Sequence, residues 1–223
     1  MSYNFRFNAL LPYVDEIVEG VVLTIQLSVG TMSTGLAIGL LVALGSQSPI
    51  AAVRAPVRAY VELIRNTPLL VQLFIVFFGL PSIGIRLGAN TAAFIALSIN
   101  LGAYCGEILR AGLESIHRSQ VEAGRSLGLT AGQTFRHVVL FPAIKAIYPA
   151  LASQFVLLLL ATSVVSSIGA TELFHQAAFI DSRTYRSFES YAMITAAYLV
   201  MTIAFRALFS GVYWLVFVRR SAR

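Results

Sequence analysis

Charged side chains are scarce in this sequence. Only 12% of the 223 residues are charged and 57% are hydrophobic, whereas about a quarter of residues are charged in soluble domains. Asp, Glu, Lys and Arg are absent from five stretches: 20–53, 66–85, 87–106, 146–171 and 190–205. Because a soluble chain of this length could not bury five apolar helices and keep a polar surface, a soluble globular domain is excluded.

The length of the uncharged stretches predicts an all-α integral membrane protein. A membrane helix needs about 20 predominantly apolar residues, and four of the five stretches reach that length. The fifth is cut short only by Arg206, which we expect to lie toward one membrane surface, where its long side chain can reach water. We therefore predict five transmembrane helices.

Residues that build disulfide, metal or redox sites are also few. The single cysteine, Cys105, lies within the third predicted span, so no disulfide framework is present. His117, His137 and His175 do not show metal-ligand spacing. The N-terminus lacks the basic region and short apolar core of a cleaved signal peptide, and we expect the first span itself to direct insertion.

The basic residues predict the orientation in the membrane. With the N-terminus outside and the C-terminus in the cytoplasm, eleven Lys and Arg residues lie in inner segments and four in outer segments. This bias follows the positive-inside rule. The inner set is Arg54, Arg58, Arg65, Arg110, Arg118, Arg125, Arg136, Lys145, Arg219, Arg220 and Arg223. Since topology accounts for the net charge of +6, no nucleic-acid partner is predicted.

Small residues and a proline mark the first two spans. Gly35 and Gly39 form a small-xxx-small pair, which favours a buried helix face. Pro68 predicts a break at 66–68 and a new helix N-terminus, with Asn66 and Thr67 as candidate caps. The break lies either at membrane depth, lining a cavity, or at the interface after a surface helix.

A polar insert separates the third and fourth spans. Ser119 and Glu122 have the spacing of a capping box, Gly128 predicts a left-handed helix end, and Thr130 with Gln133 forms a second capping box. We expect a helix over 120–127, a turn, a second helix ending at His137, and a chain broken by Pro142 and Pro149. From spacing alone, an amphipathic hairpin lying on the lipid surface is the alternative.

The insert resembles a known motif. EAGRSLGLTAGQTFRHVVLFP is similar to the EAA motif of importer-type ABC permeases: Glu-Ala-Ala, three residues, Gly, nine residues, Ile, one residue, Leu-Pro. Glu122, Ala123 and Gly124 match the triplet and Gly128 matches the glycine. The departures are Gly124 for the second alanine, Val138 for isoleucine, and Phe141 in the proline position, with Pro142 one residue late.

Other segments extend the resemblance over residues 20–217. EGVVLTIQLS, YVELIRNTPLLVQLFIVFFGLP, LGAYCGEILRAGLESI and ATSVVSSIG resemble, in the same order, the polar-amino-acid branch of that family, which imports histidine, glutamate, glutamine, arginine and opines. The resemblance implies a type I ABC importer transmembrane domain at 20–217. The coupling region would be 113–142, with an N-terminal periplasmic segment at 1–19 and a cytoplasmic tail at 218–223.

The resemblance also implies partners and a docking element. A cytoplasmic ABC ATPase homodimer would bind ATP and magnesium, because this chain has no GxxxxGK[ST] loop and is not expected to be an enzyme or to hold a cofactor. The helix would dock in the ATPase through Glu122, Ala123, Gly124, Leu127 and Gly128. An extracytoplasmic amino-acid-binding protein would deliver substrate to the loops at 81–90 and 171–189, of which the second is expected to lie on the surface. The chain would span the bacterial inner membrane, in contact with lipid.

A substrate pathway is predicted from polar residues in the spans. We expect it to be lined by Thr67, Gln72, Asn100, Thr162 and Ser163. For Asn100 the alternative is a structural role, in which its amide hydrogen-bonds to a neighbouring helix and holds the two together. Many family members carry Lys-Asp before the Thr-Ser pair, where this chain has Leu160-Ala161. A second, different permease subunit could supply the missing acid, which favours a heterodimer over a homodimer.

The residues alone leave two other functions open. An ion-coupled secondary amino-acid carrier would need acidic residues in its spans, and Glu107, beside Arg110, is the only candidate. An intramembrane enzyme would need a catalytic constellation, but the uncharged stretches contain no histidine or aspartate.

Overall fold

The computed structural model describes residues 4–219, and all regular structure in that range is helical. The tail residues 220–223, including Arg220 and Arg223 of the charge count, lie outside the described residues, as do residues 1–3. The α-helices are α1 Val14–Ser46, α2 Ala51–Arg65, α3 Leu69–Phe74, α4 Ala89–Glu114, α5 Arg118–Ser126, α6 Ala131–Gln133, α7 Phe141–Ala161, α8 Leu173–Thr184 and α9 Ser187–Tyr213.

Shorter turns of 3₁₀- and π-helix extend several of these helices. A 3₁₀ turn precedes α1, a π turn joins α6 to α7, and a 3₁₀ turn follows α7. Four long helical stretches result, each apolar enough to cross a membrane: Phe7–Ser46, Ala89–Glu114, Ala131–Ile168 and Ser187–Val218. The pair Ala51–Arg65 and Leu69–Ile83 is bent by 110° and makes a fifth span when counted as one. The predicted five-span, all-α architecture is confirmed in this sense.

The core of the bundle is the interface between α1 and α4. A Cβ atom on Gly39 would lie 2.5 Å from Cys105 Cβ, and one on Gly35 would lie 2.9 Å from Leu101 Cβ. The two helices therefore approach at distances that only glycine allows at these positions, as small residues do in lipid. The predicted buried face of the first span is confirmed.

The fourth span corrects the expected break at two prolines. The helix that begins at Ala131 does not end at His137 but continues through Pro142 and Pro149 to Ile168. A π-helical segment, Thr134–Leu140, ends two residues before Pro142. Local π adjustments can accommodate the ring and the missing N–H of a proline within a membrane helix, so no chain break is needed.

The two ends of the bundle carry different helices. α5 follows the C-terminal end of α4, and α8 lies beside its N-terminal end, where the Thr171 N–H donates to Asn90 Oδ1 at 3.2 Å. We call these the α5 end and the α8 end. The segment 171–189 was expected to lie on the surface, but Leu173, Ala177 and Ile180 of α8 are fully buried. Their three- and four-residue spacing forms one apolar helix face that packs on α1 and α9.

Candidate functional sites: the docking helix and the broken second span

The helix α5 begins two residues earlier than its sequence pattern predicts, at Arg118 and not at residue 120. His117 is the N-cap, with extended backbone angles, and its Nδ1 accepts the Ser119 N–H at 3.3 Å. Ser119 lies inside the first turn and cannot cap it, so the predicted capping box with Glu122 is wrong. Glu122 instead pairs with Arg118 Nε at 3.3 Å.

The end of α5 confirms the predicted glycine turn. Gly128 has φ +81°, a conformation that costs a non-glycine residue about 1–2 kcal/mol. The Leu129 N–H donates to the Gly124 carbonyl at 3.2 Å, and the Gly128 N–H donates to the Arg125 carbonyl at 2.9 Å. These two bonds form a Schellman motif, which terminates the helix by backbone geometry alone.

Gly124 packs α5 against the start of the fourth span. It is buried, and a Cβ atom there would lie 3.2 Å from Val138 Cγ2 and 3.3 Å from Thr134 Cγ2. An alanine would therefore push the two segments apart by a few tenths of an ångström. The absence of the second alanine of the motif thus has a structural reason, because glycine lets α5 lie close to the π-helical segment.

The second capping box is present as predicted. The Thr130 hydroxyl accepts the Gln133 N–H at 3.3 Å, and Gln133 Oε1 accepts the Thr130 N–H at 2.9 Å. Phe141, in the proline position of the motif, lies with its ring centroid 5.6 Å from that of Phe217. The fourth span therefore leaves the α5 end as a helix packed against the π-helical segment Trp214–Val218 that extends α9.

The outer face of α5 makes few contacts within this chain. Leu127 is 82% exposed, and Ala123 and Glu122 are also exposed. An exposed leucine beside charged groups at a helix end is typical of a protein contact surface when it adjoins other exposed apolar residues. Phe135, on the π-helical segment that packs against α5, is also 52% exposed. We call the exposed residues Glu122, Ala123, Leu127 and Phe135 the docking face.

The break in the second span lies at the predicted position. α2 ends at Arg65 and α3 begins after Pro68, which is itself the N-cap. The predicted caps are wrong, since neither Asn66 nor Thr67 caps α3. The Thr67 hydroxyl instead donates to the Leu63 carbonyl at 2.7 Å, in the last turn of α2.

Three predicted pathway residues form one hydrogen-bond network at this break. Asn100 Nδ2 donates to Gln72 Oε1 at 2.9 Å. Gln72 Nε2 in turn lies 2.8 Å from both the Ile64 carbonyl and the Thr67 hydroxyl. The network satisfies a carbonyl that the end of α2 leaves free, as non-helical backbone at membrane depth requires.

The position of Asn100 distinguishes the two readings of the break. Asn100 lies near the middle of α4, so the break lies near the middle of the bundle and not at one end. This favours the broken helix at membrane depth over a surface helix followed by a span. Asn100 also acts as packing glue, because its amide holds α3 to α4.

The other two predicted pathway residues lie elsewhere. Thr162 is fully buried and donates to the Leu159 carbonyl at 2.7 Å. Ser163 is half-buried and donates to the Leu160 carbonyl at 2.8 Å. They belong to the 3₁₀ segment Thr162–Ile168, which packs against α3 and α8. The structure therefore brings Thr67, Gln72 and Asn100 together in one network, whereas Thr162 and Ser163 donate to carbonyls three residues earlier in the chain.

Sequence reasoning missed a buried carboxylate at the α8 end. Glu172 is fully buried and caps α8, accepting the N–H groups of Phe174 at 2.8 Å and His175 at 2.9 Å. Its Oε2 also accepts the Tyr198 hydroxyl at 2.7 Å. Burial raises the pKa of the Glu172 carboxyl above its usual range, although these three donors oppose the rise. Glutamate is not one of the usual N-cap residues, so the sequence carried no clear signal of this role.

The α8 N-terminus is also fixed to α1. The Leu173 N–H donates to the buried Thr24 hydroxyl at 3.2 Å. A Cβ atom on Gly20 would lie 2.9 Å from Leu173 Cα. Glu172, Tyr198 and Thr24 thus join three helices at the α8 end.

A charged cluster lies near the α5 end of α4. The predicted Glu107–Arg110 pair is present, and Arg110 also pairs with Glu114. Arg65 stacks over the Tyr104 ring at 5.5 Å. Because Glu107 is paired with Arg110 and half-exposed, it is a poor candidate for an isolated ion-coupling acid. Residues 4–219 contain no group of three or more His, Cys, Asp or Glu side chains that could hold a metal.

Known proteins resemble the chain along most of its length. A family model described as "Binding-protein-dependent transport system inner membrane component" matches residues 35–218. The probable amino-acid ABC transporter permease protein YckA of Bacillus subtilis (strain 168) is 36% identical over 203 residues, covering 89% of this chain and 88% of that protein. The glutamine transport system permease protein GlnP of Escherichia coli (strain K12) is 33% identical over 201 residues, covering 89% and 92%.

A solved structure agrees with these relatives. The crystal structure of an amino acid ABC transporter with histidines contains a chain that superposes with a TM-score of 0.89 at 39% identity, covering 96% of this chain and 100% of that one. The family model alone spans well over half of the chain. The chain therefore belongs to the family of inner-membrane components of binding-protein-dependent transport systems, the multi-pass permease subunits of bacterial ABC importers.

Proposed function

We propose that this chain is the permease subunit of an importer for a polar amino acid. The names of the relatives, glutamine and amino-acid permeases, support this substrate class. The family assignment favours ATP-driven import over the ion-coupled carrier. ATP and magnesium are bound by the partner ATPase, and this chain holds neither.

The observation that carries the proposal is the exposed docking face. α5 packs against the fourth span at Gly124 and ends at the turn formed by Gly128. Glu122 and Leu127 are exposed on its other side. An ATPase subunit covers this face, with a basic group against Glu122 and an apolar pocket for Leu127. Closure of two ATPase subunits then draws two such helices together and tilts the spans that follow them.

A second permease subunit covers the broken span. Asn66, Thr67 and Pro68 are exposed in this chain, although the break lies near mid-bundle. Irregular backbone at membrane depth is tolerated only when protein covers it or when it lines a water-filled cavity. The break therefore faces the substrate pathway between two permease subunits, and the network around Gln72 forms part of the wall. The Leu160-Ala161 sequence favours a different second subunit, which supplies an acid for the substrate ammonium group.

The α8 end faces the binding protein. The positive-inside rule puts the α5 end in the cytoplasm and the α8 end outside. The segment between α3 and α4 and the exposed side of α8 lie at that outer end and receive the amino acid. Inward- and outward-open states then alternate, and each ligand shifts them only through its different affinity for the two states.

Pull-down of the tagged chain from mild-detergent membranes tests the assembly. The wild type is expected to retain an ATPase and a second permease, and Glu122→Lys is expected to lose most of the ATPase. Glu19→Lys is the matched control, since it makes the same charge change at an exposed site in the first turns of α1, toward the α8 end. ATPase retention by Glu122→Lys equal to that of Glu19→Lys would count against the docking face. Recovery of the ATPase without a second, different permease would identify a homodimer.

The pathway assignment has its own test. Thr67→Val with Thr162→Val keeps the side-chain volumes but removes both hydroxyls. We expect uptake of the amino acid to fall while ATPase binding stays unchanged. Unchanged uptake would exclude these hydroxyls from the pathway and leave the network as a purely structural link.

A further inference from the structure

A groove of about 520 Å³ runs between α7 and α9, and its size lies in the range of about 300–1,000 Å³ that is typical of small-molecule sites. At the α5 end of the groove, Tyr148 and Tyr213 lie with their ring centroids 5.6 Å apart. In the other direction the same face of the fourth span continues to Ser163, which lies seven residues beyond Val156. The segment that contains Ser163 packs against α3. The groove therefore leads from the α5 end toward the broken second span.

Arg206 lines this groove and lies deeper in the membrane than its sequence predicts. The Phe155–Phe209 ring pair, with centroids 5.8 Å apart, aligns α7 with α9 and puts Arg206 level with Val156. Twelve residues, about 18 Å of helix, separate Arg206 from Val218, where the span ends. The expected position of Arg206 near a membrane surface is therefore wrong.

The guanidinium of Arg206 is unpaired within the described part of the chain. Residues 4–219 offer it neither an ion pair nor a hydrogen bond, and it is the one charged group among the described residues that line the groove. A charged side chain inside a membrane span faces a bundle interior or a water-filled cavity, and it commonly marks a substrate pathway. The exposed side chain of Arg206 therefore needs an anionic partner from outside this chain.

Polar residues extend the same face of α9 on both sides of Arg206. Four of them share this face, at intervals of seven, four and four residues: Thr195, Thr202, Arg206 and Ser210. Val200 and Leu208, on the other side of α9, are exposed apolar residues. Contact with lipid explains the apolar side of the helix but not the polar face, which fits the border of a water-filled pathway.

Two serine hydroxyls of the groove are also available to a ligand. Other helical hydroxyls of this chain, such as that of Ser28, donate to a carbonyl of the preceding turn. Ser153 and Ser210 are exposed in the groove, and neither forms a hydrogen bond with another described residue. Ser153 lies three residues before Val156 and Ser210 four residues after Arg206, so each is about one helical turn from the level of the guanidinium. The cation and the two hydroxyls can donate together to one carboxylate.

We propose that Arg206 binds the carboxylate of the transported amino acid in this groove, with Ser153 and Ser210 as further donors. The proposal rests on the importer function proposed above and adds a substrate-binding residue to it. Because every amino acid carries this carboxylate, the site serves import whatever the side chain of the substrate is. The ammonium group then takes the acid that the second subunit supplies. A carboxylate of a neighbouring permease subunit is the competing partner of Arg206, and the experiments below separate the two.

Uptake by the assembled transporter tests the site. The chain is reconstituted into vesicles with its ATPase, second permease subunit and binding protein, and uptake of radiolabelled glutamine, glutamate, histidine and arginine is measured separately. For the amino acid that is transported, we expect Arg206→Gln to lower uptake at least about tenfold, because it removes a charge-assisted hydrogen bond. Arg206→Lys should keep most of the uptake. Arg219→Gln is the matched control, since it removes the same charge from the end of the same span at a position that does not line the groove, and it should leave uptake unchanged.

The failure of the site and the failure of the importer function give different results. No uptake of any of the four amino acids by the wild type would contradict the proposed import of a polar amino acid, on which the site rests. Equal uptake by the wild type and Arg206→Gln would overturn the carboxylate site and leave that function in place. An equal loss in Arg206→Gln and Arg219→Gln would also overturn it, because the effect would then not depend on the groove.

Charge rescue separates substrate binding from a structural role. Arg206→Cys is combined with Cys105→Ser and treated with 2-aminoethyl methanethiosulfonate, which adds a cation, or with 2-sulfonatoethyl methanethiosulfonate, which adds an anion. We expect both water-soluble reagents to label the thiol and only the cationic adduct to restore uptake. Cys105→Ser alone, treated in the same way, should be unaffected. Absence of labelling would place this position against lipid, and equal uptake with both adducts would show that its charge is not required. Each of these results would overturn the site.

Pull-down of Arg206→Gln tests the competing partner. If a carboxylate of the neighbouring permease subunit neutralises Arg206, loss of the guanidinium should release that subunit from the tagged chain. We expect the variant to retain the second permease subunit as the wild type does. Its release would overturn the proposal and assign Arg206 to the interface between the two permease subunits.

Discussion

The two ends of the bundle are built differently. At the α5 end, the helix is fixed by backbone geometry and a glycine contact, and its charged and large apolar side chains point outward. At the α8 end, the helix is fixed by side chains, with Glu172 and Leu173 fully buried against α1 and α9. The first arrangement leaves a surface free for another protein, whereas the second makes α8 part of the core of this chain.

This difference separates residues that act between subunits from residues that hold the chain together. Two glutamates on short helices illustrate it: Glu122 lies in the middle of α5, and Glu172 is the N-cap of α8. Glu122 is 63% exposed in its side chain and pairs with Arg118 one turn earlier, and an exposed pair of this kind contributes little to stability. Glu172 accepts three hydrogen bonds in a buried site.

The largest expected effect is on stability at Glu172. Glu172→Ala removes the cap of α8 and leaves the buried Tyr198 hydroxyl without this acceptor, which we expect to cost about 3 kcal/mol. For a chain of this size the melting temperature should fall by about 6–12 °C, measured by circular dichroism in detergent. Glu122→Ala is the matched control and should change it by less than about 2 °C. Similar shifts in both variants would remove the contrast between the ends.

The pH dependence of stability sharpens the same comparison. Because the pKa of Glu172 is raised in the folded chain, the native state keeps a proton that the unfolded chain loses as pH rises above about 4.5. The contribution of Glu172 to stability is therefore largest at low pH and falls until the raised pKa is passed. The difference in melting temperature between the wild type and Glu172→Gln should decrease across that window. A difference that grows with pH would contradict the raised pKa.

A smaller effect is expected at the turn that ends α5. Gly128→Ala places a side chain at φ +81° and should cost about 1 kcal/mol, seen as a melting temperature lower by about 2–4 °C. ATPase stimulation by substrate-loaded binding protein should also fall, since α5 would be displaced. Gly132→Ala is the control: it lies in α6 with no atom within 4 Å of the added Cβ. Equal behaviour of the two variants would show that the turn is not required.

The smallest effect on stability is expected at the docking face. Leu127→Ala removes an 82% exposed side chain and should leave the melting temperature within about 2 °C of the wild type. Binding of the ATPase, measured by co-purification, should nevertheless weaken at least about tenfold, as expected for an apolar anchor residue. Full ATPase binding by Leu127→Ala would exclude this residue from the interface.

Sequence reasoning predicted local structure well where one residue determines the geometry. Pro68 marks the break and Gly128 marks the helix end, because each restricts or permits backbone angles without help from the fold. The five spans followed from length and charge alone. The predicted chain break at Pro142 was wrong, because the π-helical segment before this proline keeps the helix continuous.

Contacts between distant segments were harder to predict. The capping box at Ser119 was wrong because α5 begins before Ser119, and the His117 side chain accepts the Ser119 N–H as the N-cap. Asn100 and Gln72 were both identified as polar residues in spans, but their pairing depends on how α3 packs on α4. The burial of Glu172 depends on Tyr198 and Thr24, which are far away in sequence. Which residues line the pathway stays a prediction for the same reason.

Cross-linking at α5 tests the central claim most directly. Cys105, the single cysteine, is buried and can be replaced by serine to give a background without cysteines. Ala123→Cys, on the docking face, should in that background cross-link to the ATPase in membranes of the assembled transporter, and ATP should change the yield. Ser182→Cys, on an exposed site of α8, should not cross-link to the ATPase under any condition. An ATPase cross-link from Ser182→Cys and none from Ala123→Cys would contradict the assignment of the two ends.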